Sequence, residues 1–177
     1  QGMNPGTQPH MDMNDAAEYS AQSIIEDDPI GPHTIVGYSF GGTIAFATAF
    51  ALKKRGFDNT RLIMLDARPT WFRPSAVKFM LVRRDLNKGN LGLAWRQLLY
   101  VLFNLGAPRN VNDAMAIAGT NYRPQMLNLK HMLIVKAGYH KHLKKFVKAW
   151  QPGLPETVIR MHRDTNHTDL MLSPHVE

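Results

Sequence analysis

The sequence predicts an α/β protein, and three observations carry that prediction. An apolar run, Thr34-Ile35-Val36, leads through Gly37-Tyr38-Ser39-Phe40-Gly41 into a long apolar helical pattern. The next run, Arg61-Leu62-Ile63-Met64-Leu65, is almost wholly apolar, as expected of a parallel strand covered on both faces. Strand, helix, strand at these lengths is a βαβ unit. Two further short apolar runs, 131–135 and 157–161, flank a helical pattern and extend the alternation.

Each element has its own warrant. Residues 1–10 are rich in Gly, Pro, Asn and Gln and read as loop. A helix is expected over 12–26, capped by Asp12 or Asn14, with Ala16, Ala17, Tyr19, Ser20 and Ile24 inward. Asp27, Asp28, Pro29 and Gly31-Pro32 end it, and 33–36 reads as a short buried strand. The helix over about 41–55 is kept slim by Ala45, Ala47, Ala49 and Ala51, which lets it approach the sheet closely. Lys53, Lys54 and Arg55 load its last turn, where cations suit the helix dipole, and Gly56 stops it.

Over 71–122 the pattern turns helical. Apolar residues recur through Val77, Met80 and Leu81, then through Leu93, Leu98, Leu99, Leu102 and Phe103. Arg73, Lys78, Arg83, Arg84, Lys88, Arg96 and Arg109 decorate these helices. One crossover needs a fraction of this length, so the insertion resembles a helical lid over a site. Residues 140–150 form a basic helix with Lys141, Lys144, Lys145 and Lys148 outward, broken by Pro152, Gly153 and Pro155. His167 sits in a loop beyond the last strand, and a helix starting near Asp169 is interrupted by Pro174.

Composition narrows the function classes. The 177 residues, 44% hydrophobic, suit one globular domain with a sizeable core. There is no cysteine, so no disulfide framework exists and any nucleophile must be serine. Apolar stretches such as 98–103 are too short to span a bilayer, and no signal-peptide pattern opens the chain. The expected setting is cytoplasmic, without membrane association. A net charge of +7 and a pI near 9.8 suggest an acidic partner. No basic-aromatic interleaving or nucleic-acid motif accompanies the charge. No cofactor or metal is expected. The chain starts at Gln1, so it is expected to be part of something longer and incomplete at its N-terminus.

Gly37-x-Ser39-x-Gly41 between a strand and a helix is the nucleophile-elbow pattern, a serine on a sharp turn with its hydroxyl held clear of the sheet. The tight turn is expected to leave no room for a side chain at Gly37 or Gly41. A serine hydroxyl needs a base, usually histidine, and a carboxylate to orient that base. In the α/β-hydrolase fold these follow as Ser, acid, His, at strand C-terminal ends. Asp66 directly follows the second strand, whereas Asp58 precedes it and Asp85 and Asp113 lie in the helical insertion. The loop after Val135 holds no carboxylate. Of eight histidines, His167 alone lies in a loop just past the final strand and before a helix. The backbone N–H of Phe40 is the candidate oxyanion donor. A second donor would come from a loop after an earlier strand, and only one helix and one strand precede Ser39.

At these residues the chain resembles the thioesterase domains that end nonribosomal peptide synthetases and polyketide synthases. The segment from Gly31 through Gly37-Tyr38-Ser39-Phe40-Gly41-Gly42 is similar to their elbow. Leu62-Ile63-Met64-Leu65-Asp66 is similar to their acid-bearing strand, and His167-Thr168-Asp169-Leu170-Met171-Leu172 to their histidine segment. The resemblance covers the chain in order and is least specific over 71–122. It implies an α/β-hydrolase domain over 1–177 with helices on both faces of a mostly parallel sheet. It also implies acyl transfer from a carrier-protein phosphopantetheine thioester to Ser39, then release by water or an internal nucleophile. Phosphopantetheine would enter with the carrier protein as substrate. Two other readings fit the same motifs: a free-standing serine esterase or thioester hydrolase, and a non-catalytic hydrolase-fold binding protein. The intact serine, acid and histidine argue against the last.

Overall fold

The computed structural model describes residues 12–67, 74–103, 111–138, 143–150, 158–162 and 166–171. Its strands are β1 Thr34–Tyr38, β2 Arg61–Leu65, β3 His131–Ala137 and β4 Val158–His162. Its helices are α1 Met13–Asp27, α2 Phe40–Lys54, α3 Pro74–Asn87, α4 Leu91–Phe103, α5 Val111–Asn121 and α6 Leu143–Trp150. The chain divides into two compact units. Residues 16–69 and 123–177 hold the sheet, and residues 1–15 and 70–122 hold α3, α4 and α5.

The sheet runs β1-β2-β3-β4 and every pairing is parallel. Parallel order puts the C-terminal ends of all four strands on one rim, where open α/β sheets gather their functional residues. The register is tight at that rim: Tyr38 pairs with Leu65, and Leu65 with Val135. One layer of core at this end joins Leu65, Val135, Ala137 and Leu170, with Tyr38, Ile63 and Leu133 against it.

The strand expected over 33–36 starts one residue later and runs on to Tyr38, which carries it directly into Ser39. It is not buried throughout: Val36 is 58% exposed, because β1 is the edge of the described sheet. The third strand extends two residues past the expected 131–135, which places Lys136 and Ala137 in the ladder, not in a loop. The reason is pairing. Lys136 and Ala137 match Met161 and His162 of β4, a partner that a strand-by-strand reading cannot see.

The slim α2 is as expected, with Ala45, Ala47, Ala49 and Ala51 all buried. It ends in a Schellman motif. The N–H of Gly56 donates to the Lys53 carbonyl and that of Phe57 to the Leu52 carbonyl, with Gly56 at φ +92°. Phe57 then packs on a cluster of Ala21, Ala51 and Leu52. On α1 the cap is Asp12, whose Oδ1 accepts the Asn14 N–H at 2.6 Å. Its buried face uses Met13, Ala16, Ala17 and Ala21, while Tyr19 is exposed.

In the helical unit α3 packs on α4 and α5 around Leu81, Tyr100 and Ile117. The apolar pattern is wider than the buried face, and Met80, Leu102 and Phe103 are exposed. The Val77 side chain lies outside the described residues. Arg84 of α3 donates two parallel hydrogen bonds to Asp113 of α5, at 2.8 and 2.7 Å, and lies 3.5 Å from Asp85. The Asp113 hydrogen bond raises the Arg84 pKa above its ordinary value. These two carboxylates thus serve the helix packing. Because Arg84 is 34% exposed, water screens part of the pair. Asp113→Ala is expected to cost about 1–3 kcal/mol. Hydrogen exchange should show the loss in helices 74–121 and leave the sheet protected.

Candidate active site

Ser39 and Asp66 reach the rim by the same device. The Ser39 N–H still donates to the Leu65 carbonyl at 2.8 Å, and the Asp66 N–H to the Val135 carbonyl at 2.7 Å. Each residue is therefore held by the ladder one step beyond its strand. Each then turns away at positive φ, +54° for Ser39 and +44° for Asp66. Positive φ is costly for a residue with a Cβ and persists where surrounding structure enforces it. Ser39 stands at the N-cap of α2, where a serine normally spends its hydroxyl on a backbone N–H. Here it makes no such bond. Its Oγ lies 2.9 Å from His167 Nε2 instead.

His167 occupies the turn just before the 3-10 turn Asp169–Met171. Its Nδ1 lies 2.6 Å from Asp66 Oδ2. A carboxylate only accepts, so Nδ1 carries the proton and Nε2 is left to accept from the Ser39 hydroxyl. The three side chains chosen from the sequence thus form one hydrogen-bonded line, Ser39 to His167 to Asp66. Asp66 is 1% exposed. Its Oδ1 accepts the Ala137 N–H at 3.3 Å and lies 2.8 Å from Lys136 Nζ. Behind it, the buried Trp150 of α6 donates its indole N–H to the Ala67 carbonyl at 2.9 Å.

Gly37 needs its missing side chain, as expected. A Cβ there would lie 2.5 Å from the Gly41 carbonyl oxygen and 2.6 Å from Ala45 Cβ and Gly42 Cα. Gly41 does not. A Cβ at Gly41 meets nothing within 4 Å, and its φ is not positive. The crowded second glycine is Gly42, where a Cβ would sit 2.2 Å from Ala67 Cβ. The pattern G-x-S-x-G draws the eye to residue 41, but contact with the neighbouring strand end falls one residue later. Phe40 begins α2, so its N–H has no carbonyl one turn back to bond within the helix.

Two roles were not legible beforehand. Tyr38, read only as the variable residue of the elbow, donates its hydroxyl to the His167 carbonyl at 2.6 Å. Its ring also stacks on the imidazole, with centroids 4.8 Å apart and planes 20° from parallel. Tyr38→Phe keeps the stack and loses the hydrogen bond. The expected result is about 1 kcal/mol less stability and a several-fold slower reaction at Ser39, measured by melting and by labelling rate. Lys136 is the other, and its signal was a lone cation closing an apolar strand. His140 and His142 lie outside the described residues. Lys144, Lys145 and Lys148 of the basic helix are exposed. Among the described residues no group of His, Asp and Glu is arranged to hold a metal ion, and no helix is long and apolar enough to cross a membrane.

The thioesterase domain family model matches residues 1–78, the part that carries Ser39 and Asp66. Indigoidine synthase of Streptomyces lavendulae is 39% identical over 64 residues, which is 35% of this chain and 5% of that protein. Tyrocidine synthase 3 of Brevibacillus parabrevis is 43% identical over 56 residues, 32% of this chain and 1% of that protein. The chain thus matches only a few per cent of the length of these relatives. Among solved structures, the RedJ thioesterase of Streptomyces coelicolor superposes with a TM-score of 0.64 at 21% identity, covering 99% of this chain and 70% of that one. The NocB thioesterase domain gives 0.64 at 15%, covering 97% and 72%. At these identities the likeness is one of fold, the α/β-hydrolase fold. Over residues 1–78 the chain is thus similar to thioesterase domains, and the relatives it matches over part of its length include nonribosomal peptide synthetases of Aspergillus terreus.

Proposed function

We propose that this domain releases an acyl or peptidyl chain from a carrier-protein phosphopantetheine thioester through an acyl-enzyme on Ser39. The observation that carries the reading is the hydrogen-bonded line from Ser39 Oγ through His167 to Asp66, with the serine at φ +54° at the head of α2. His167 Nε2 takes the hydroxyl proton as Ser39 Oγ bonds to the thioester carbon. Asp66 holds the ring in the reactive tautomer and balances the imidazolium. The Phe40 N–H and the positive end of α2 stabilise the oxyanion. The C–S bond then breaks, and the thiolate leaves with the proton from His167. Water or a nucleophile within the chain itself frees the acyl group in a second step, and Ser39 is regenerated.

The partner in this reading is an acyl or peptidyl carrier protein. The exposed lysines of α6 and the basic insertion suit an acidic partner and would speed encounter by steering. The test is labelling by a fluorophosphonate, followed by mass mapping and by hydrolysis of a carrier-bound acyl thioester. Modification at Ser39 with release of the acyl chain supports the proposal. A folded domain that leaves Ser39 unmodified overturns it. Equal rates on small soluble esters and on carrier-bound chains would favour a free-standing esterase.

A further inference from the structure

Lys136 is a buried cation that acyl transfer itself does not call for. It is 5% exposed, inside β3, beside the buried Ile134, Val135 and Ala137. A lysine in such a place is costly unless its charge is met. It is met by Asp66: Nζ lies 2.8 Å from Oδ1, and it also donates to the Ala137 carbonyl. The Phe146 ring of α6 lies 5.7 Å from Nζ. Asp66 therefore divides its two oxygens. Oδ1 faces the Lys136 ammonium and a backbone N–H, and Oδ2 faces the imidazole of His167.

We propose that Lys136 is a positioning residue that acts on His167 through Asp66, pinning the carboxylate and offsetting the negative charge it presents to the imidazole. The inference rests on the acyl-enzyme reading. A carboxylate already paired with an ammonium stabilises an imidazolium less than a lone one does. Other polar groups around the imidazole are few among the described residues. The Tyr38 phenol faces it from β1, the Ser39 hydroxyl from the elbow and Asp66 from the end of β2. In its own turn Asp169 accepts from the Asn166 side chain at 2.5 Å.

The test is the pH dependence of the fluorophosphonate labelling rate at Ser39, for the wild-type chain and for Lys136→Met, Lys136→Gln and Lys136→Arg. With Lys136→Met the acid limb is expected to move up by about one pH unit, from loss of one nearby positive charge. Lys136→Arg keeps the charge and should keep the wild-type limb. A merely structural lysine would lower the rate at every pH and leave the limb in place. Coincident limbs for wild type and Lys136→Met overturn the proposal. Should Lys136→Met not fold, Lys136→Gln, which keeps a hydrogen bond but not the charge, decides by the same limb. A wild-type chain that never labels refutes the acyl-enzyme reading instead, and the two failures are thereby distinct.

Discussion

Ser39→Ala is expected to lower acyl-enzyme turnover by on the order of 10^5–10^6-fold while leaving the fold intact. The size follows from the line of hydrogen bonds. Without Oγ there is no atom to form the covalent bond, and His167 Nε2, 2.9 Å away, has nothing to deprotonate. The stability side follows from what Ser39 does not do. It makes no side-chain cap on α2, so alanine deprives the helix of nothing. Alanine also inherits the strain of φ +54°, so the melting temperature should stay within a few degrees of wild type. Ser39→Gly should be equally inactive but more stable by about 1 kcal/mol, because glycine adopts that φ freely. His167→Ala should cost nearly as much activity, and the double variant little more, since the two act as a unit. Fluorophosphonate uptake, thioester hydrolysis and thermal melts check all four. A Ser39→Ala domain that still releases acyl chains at the wild-type rate would refute the covalent route.

Much of this site was legible because parallel topology is a strong constraint. Once 34–36 and 61–65 read as parallel strands, Ser39 and Asp66 had to emerge on one rim, and a histidine past the last strand had to return there. What could not be read was anything set by a partner strand or by packing. The extension of β3 to Lys136 and Ala137 depends on Met161 and His162 opposite, so the cation beside Asp66 stayed hidden in an apparent loop. The clamp of Tyr38 on His167 joins residues 129 apart in sequence. In the helical insertion the apolar recurrence took in Leu81, which is buried, but also Met80, Leu102 and Phe103, which are exposed, and it missed the buried Gln97 and Tyr100. These helices are apolar on more than one side, and period alone does not say which side is covered.

The second glycine of the elbow separates pattern from packing most sharply. Gly41→Ala should be nearly neutral for stability, since its Cβ meets nothing within 4 Å. Gly42→Ala should not be. Its Cβ would lie 2.2 Å from Ala67 Cβ, with Ala67 itself fully buried. Something must move, and neither neighbour is a flexible side chain, so a loss of about 3 kcal/mol is expected. The displacement falls next to Asp66, whose 2.6 Å bond sets the orientation of His167. A shift there of the order of 1 Å is enough to slow the reaction at Ser39 by about 100-fold. Ala67→Gly in the same chain removes the clashing methyl. The new Cβ is then left 3.2 Å from the Gly37 carbonyl oxygen and 3.4 Å from the residue 67 Cα, contacts that small adjustments absorb. The double variant should therefore recover most of the stability and of the labelling rate, beyond what Ala67→Gly achieves alone. That compensation, measured as a double-mutant cycle, would not arise if Gly42 were needed for backbone freedom, because a conformational demand cannot be relieved from residue 67.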